Sequence, residues 1–159
     1  MGILQSLIGF LGRALFSIVF IAAGLHNIFD WQGAEQQLTQ TLTDWLPLSV
    51  EYVWFQQAVE WGVSQVSPLL LGATICELLG GLMVFLGISV RLGAFLLLVF
   101  LVPTTFLFHH FWLLSGVERD TQLVHFLLNS SLLGALLFLI AYGKGCNKAK
   151  KRDFVGESE

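Results

Sequence analysis

Four apolar runs, each long enough to cross a bilayer, limit what this chain can fold into more than any other feature. They cover residues 7–29, 68–88, 92–112 and 122–142. A helix needs about 20 apolar residues to traverse the hydrocarbon core. Lipid offers no water to the backbone, so every N–H and C=O must bond within its own segment, and a helix achieves that. The chain therefore reads as all-α, an integral membrane four-helix bundle. Composition agrees. Charged residues make up 12% of the 159, and mean hydropathy is +0.76, whereas a soluble domain carries about 25% charged residues. The lipid bilayer is the first partner. The net charge of −3, with no basic stripe among aromatics, argues against nucleic acid as another.

The charges between the runs give an orientation. Residues 30–67 hold Asp30, Glu35, Asp44, Glu51 and Glu60, with no Lys or Arg. Arg91 lies in the short link between the second and third runs. Lys144, Lys148, Lys150, Lys151 and Arg152 follow the fourth. The positive-inside rule places these cations in the cytoplasm, so both termini are expected there and the acidic segment outside. A bacterial inner membrane is the expected location. Trp31, Trp45, Trp54 and Trp61 fall in the acidic segment and Trp112 closes the third run, as suits indoles at a membrane–water boundary. The segment predicts an interfacial helical segment of one or two helices on the outer leaflet, broken at Leu46-Pro47, with Ser49 capping the second piece. Pro68 is expected at the first position of the second span.

The first run is expected to be a retained span and not a cleaved signal. Its apolar stretch is long, Arg13 interrupts it, and residues 1–6 carry no Lys or Arg. One membrane domain over 1–147 and a disordered cytoplasmic tail over 148–159 follow. Cys76 lies in a span and Cys146 beyond the last one. Their spacing suggests no disulfide framework.

Ionisable groups inside a membrane are costly, which makes them candidates for function. Glu77 sits nine residues into the second span, about 13 Å deep at 1.5 Å per residue. At that depth it must be protonated, paired or hydrated. Gly72, Cys76 and Gly80 recur four apart around it, with Gly81 next, as close helix packing requires. Arg13 can either snorkel to the headgroups or enter an ion pair. All four histidines fall towards the outer end: His26, the adjacent His109 and His110, and His125, with Asn129 one turn below. Side chains lean towards their own helix N-terminus. Read as helical, with Thr105, His109 and Trp112 on one face, the third span leans His109 inward. Glu77 and Asn129 lean outward to the same level. One histidine of the pair thus points into the bundle.

Three chemistries suit that cluster. A quinone head group can take hydrogen bonds from His or Asn while Glu77 handles a proton. A metal can use imidazole with Glu77, although no H-x-x-x-H or E-x-x-H spacing is present. A proton or solute path can pass Glu77. No nucleophile–base pair, phosphate loop or dinucleotide fingerprint is present.

The stretches GRALFSIVFIAAGLHNI, ELLGGLMVFLGISVRLGA, PTTFLFHHFW and HFLLNSSLLGALL together resemble the DoxX family of small four-span membrane proteins over residues 11–143. The resemblance implies roles for Arg13, Glu77, His109 and Asn129, where the family's recurring Arg, Glu, His and Asn fall. Many relatives carry lysines where this chain has Asn27 and Leu128, so the resemblance implies less positive charge near Glu77 here. It also implies a quinone-linked redox system, since the family takes its name from a subunit of thiosulfate:quinone oxidoreductase. The expectation is an accessory redox subunit that binds a quinone, with Glu77 and His109 as the reactive pair and Arg13, Asn129 and His125 as further binding residues. A soluble or membrane redox partner and a homo-oligomer both fit that role. A non-enzymatic scaffold, chaperone or assembly factor is the alternative, and a small proton-coupled carrier the third.

Overall fold

A computed structural model describes residues 3–49 and 51–143. The basic tail, including Cys146, lies outside them. Among the described residues seven α-helices follow one another: α1 (Ile3–Phe29), α2 (Trp31–Asp44), α3 (Leu46–Ser49), α4 (Val53–Ser64), α5 (Val66–Leu86), α6 (Val90–Phe108) and α7 (Gly116–Tyr142). A single 3-10 turn, Phe111–Leu113, lies between α6 and α7. The helices α1, α5, α6 and α7 are long and apolar enough to span a membrane.

The spanning helices pack in a row, α1 on α5, α5 on α6 and α6 on α7. Among the described residues α1 and α7 make no close approach. The centre is α6, whose Val90, Ala94, Leu97 and Leu101 join Phe20, Val84 and Leu136 in the core. Glycine sets the closest contact. A Cβ on Gly80 would lie 2.9 Å from the Gly93 carbonyl oxygen and 2.8 Å from Leu97 Cγ, so α5 and α6 meet backbone to backbone there. Gly81 faces α1 at Phe20 and Ile21, whereas Gly72 faces open space. The small residues four apart therefore serve two surroundings, and packing accounts for only part of the pattern.

The α5–α6 turn reverses the chain in three residues. Gly87 (φ 72°) and Ser89 (φ 50°) both take left-handed backbone. The Gly87 N–H donates to Val84 O and the Ile88 N–H to Met83 O, the paired bonds of a Schellman end. Nearby, Arg91 Nε donates to Gly143 O at 2.8 Å, and its Nη2 to Ala141 O at 3.4 Å. A cation at a helix C-terminus satisfies orphan carbonyls and the helix dipole together.

At the opposite end the chain builds a roof. Asp30 stops α1 and caps α2, its Oδ1 accepting from the Gly33 N–H at 3.1 Å. α2 lies over α5 and α6, and α4 folds back against it, with Leu42 packed at Gly62. The helical segment expected between the first two spans is present in three pieces. Ser49 does not cap α4. Its hydroxyl donates to Leu46 O at 2.7 Å, and Tyr52 takes the N-cap position without a side-chain bond. Pro47 lies inside the single turn of α3, where a proline needs no N–H partner. Pro68 is the third residue of α5 rather than the first, still within the turn whose N–H groups have no helical partner.

Of the span limits that differ from the hydropathy reading, two shape the end that carries the roof. α7 starts at Gly116, so Glu118, Arg119 and Asp120 form its first turns instead of a loop. Glu118 there complements the helix dipole. α6 stops at Phe108, four residues early. Leu107 O, left without a helical partner, accepts from the Trp45 indole N–H at 3.1 Å and lies 3.2 Å from His110 Nδ1. His109 therefore leaves the helix (φ −117°, ψ 58°), and Thr105, His109 and Trp112 do not share a helical face.

Candidate functional site

Under the roof the adjoining halves of the spanning helices line a partly open cavity of about 360 Å³. Its walls are mostly apolar. Six polar side chains reach it: Asn27 from α1, Gln37 from α2, Glu77 from α5, Thr104 from α6, His109 after α6, and Asn129 from α7. A pocket of this size, apolar with a few converging polar groups, is the usual form of a small-molecule site.

Glu77 is 3% exposed. Its side-chain hydrogen bond among the described residues comes from Asn27 Nδ2, at 3.4 Å to Oε2. That contact is long, and a neutral amide is no counter-ion. The carboxyl group thus keeps most of its hydrogen-bonding capacity for the cavity. Local sequence explains the position. Gly24 lets α1 come down onto α5, where a Cβ would meet Leu78 at 2.7 Å and Glu77 Cγ at 3.6 Å. Asn27 follows one turn later on the same face of α1 and so reaches the carboxyl group.

His109 owes its place to the early end of α6. Its Nδ1 is 2.7 Å from Gln122 Oε1, and its ring stacks on His125 at 5.5 Å. The Gln122 amide can turn oxygen or nitrogen towards Nδ1, so Nε2 can act as acceptor or donor. His110 turns away and meets Trp45 edge-on at 5.4 Å. The adjacent histidines therefore divide, one at the cavity and one in the aromatic packing under α3.

Of the five residues singled out from sequence, Glu77, His109 and Asn129 line this cavity. His125 supports His109 from outside it. Arg13 is not brought to Glu77. It lies near the other end of α1, its guanidinium against the Gly87 turn, and its Nε is buried with no partner among the described residues. Helix rise alone puts Arg13 about 16 Å below Gly24. Asn27, Gln37 and Thr104 were not singled out as site residues. Asn27 was within reach, since it follows Gly24 at helical spacing. Gln37 was not, because nothing in α2 shows which face looks down. No group of three His, Cys, Asp or Glu side chains that could hold a metal occurs among the described residues.

The molecule is thus a multi-pass membrane protein of four spans, with a mostly apolar chamber, reached by a few polar side chains, beneath short helices. It belongs to the DoxX family, whose profile matches residues 8–110 and so takes in most of α1, all of α2 to α6, Glu77 and His109. No curated protein and no solved structure matches the chain.

Proposed function

We propose that the chamber holds the head group of a quinone and that the protein is an accessory membrane subunit of a redox system. The observation that carries this reading is Glu77, buried in a mostly apolar wall and facing the cavity with no cationic partner among the described residues. A quinone needs donors to its two carbonyl oxygens, and Asn27, Asn129 and His109 can supply them. Its reduction to the quinol takes two electrons and two protons. The electrons come from a partner redox subunit. Glu77 and His109 are the groups placed to pass protons. In this reading the acidic segment lies outside a bacterial inner membrane and the basic stretches inside, an orientation that the Lys and Arg asymmetry supports.

Native mass spectrometry of the protein released in mild detergent tests this. An added mass matching a quinone, lost in Glu77→Gln with helical content unchanged, is the expected result. Loss of the fold in Glu77→Gln would make the residue structural and remove the site. A bare chain carrying a second polypeptide would favour the scaffold reading. That reading draws on Trp54 and Trp61, which are 71% and 61% exposed and seven residues apart on α4.

A further inference from the structure

A second cavity, of about 350 Å³, adjoins the first. The two share Leu38, Ala73, Phe100, Thr104 and Phe108 as a common wall. The second differs in chemistry. Beyond Thr104 and the Cys76 thiol its lining is apolar, with Leu42 above and Leu69, Gly72, Val99 and Pro103 at its mouth. Leu69 and Val99 are exposed on the lipid-facing surface, so the cavity opens into the bilayer between α5 and α6.

The backbone explains the opening. α5 and α6 touch closely at Gly80 and Gly93. Eight residues along α5, about 12 Å by helix rise, Gly72 has nothing within 4 Å of its Cβ position. The roof helix α2 spans the gap with Leu38 and Leu42.

Resting on the quinone-site reading, we propose that this apolar chamber is the lateral entrance and tail channel of the same site. The occupant is a membrane-borne amphiphile with a compact carbonyl head and a long hydrocarbon tail. Its head sits with Glu77, and its tail leaves between α5 and α6 into the bilayer. The two adjoining chambers match the two halves of such a molecule, the first with polar groups for a head and the second apolar throughout apart from Thr104 and Cys76.

Two naphthoquinones with the same head test this, 2,3-dimethyl-1,4-naphthoquinone and its relative with a four-unit isoprenoid tail in place of one methyl. Binding is measured to the full chain in lipid nanodiscs. Cys76, on the wall of the tail chamber, serves as reporter through its maleimide labelling rate in a Cys146→Ser background. The tailed compound is expected to bind at least about tenfold more tightly and to slow Cys76 labelling severalfold. Gly72→Phe, which fills open space, should erase both effects and leave binding of the tailless compound unchanged. Equal binding of the two quinones, with Gly72→Phe silent, would overturn the channel and leave the head-group site standing. Loss of the tail advantage in Gly12→Phe instead, at the α1–α7 side, would move the tail there and overturn the proposal. Binding of neither quinone would remove the site reading and the channel with it.

Discussion

A glycine in this protein has a meaning set by what faces it. Gly80 and Gly72 lie on the same helix eight residues apart, yet one seats a neighbouring backbone and the other faces open space. Gly80→Ala should therefore destabilise the bundle by about 1–3 kcal/mol, because a carbonyl oxygen cannot give way as a side-chain tip can. Gly72→Ala should be neutral or slightly stabilising, through the helix preference of alanine. Unfolding of both variants in mixed micelles of increasing dodecyl sulfate content checks the contrast. Equal effects would mean that the α5–α6 crossing is looser than its geometry. Glu77 shows the same dependence on surroundings. Nine residues of spacing singled it out in the sequence, and the fold buries its side chain. Arg13 was equally visible as an intramembrane charge, yet it serves the opposite end. Sequence reports the presence of such a charge, and the fold decides its neighbour.

At the level of elements, the spans were legible because twenty apolar residues admit one solution in lipid, and their ends were less so. Nothing in FLFHHFW punctuates the helix. α6 stops at Phe108 because Trp45, sixty-two residues earlier, takes the carbonyl of Leu107, a tertiary contact with no local signature. The roof was foreseen as interfacial helix but not as the lid of a cavity, for the same reason. Its first helix hangs on one cap. Asp30→Ala should cost about 1 kcal/mol of local stability, and hydrogen exchange should show it as faster amide exchange in residues 31–44 with little change in α5 and α6. Uniform acceleration throughout the bundle would contradict the assignment of α2 as a separately stabilised lid. Ligand retention should fall in the same variant, since Ala34, Gln37 and Leu38 close the head-group chamber from above.

Taken as a whole, the molecule has two unlike ends. One carries the α5–α6 turn with Arg91; the other carries α2, α3 and α4 with their acidic side chains. The positive-inside rule gives this asymmetry an expected orientation, with the acidic end outside, and single cysteines can test it. In right-side-out vesicles a membrane-impermeant maleimide should label Glu51→Cys and spare Ile88→Cys, in a background lacking Cys146. The reverse pattern would invert the topology and place the chamber near the cytoplasmic face.

The row-like packing of the spans has a consequence for how the protein relates to its solvent. In the spanning stretch of α7 only 6% of residues are buried, against 33% in α5 and in α6, because among the spanning helices α7 packs closely on α6 and meets α1 only through side chains such as Leu136 and Phe20 in the core. The bundle is a sheet of helices rolled most of the way round and left unsealed. Hydrocarbon chains must supply the missing side, which makes the surrounding lipid a building material as well as a medium. The width of the unsealed side then answers to lateral pressure and acyl-chain order. A stiffer or thicker membrane would press the edges together, and a fluid one would let them part.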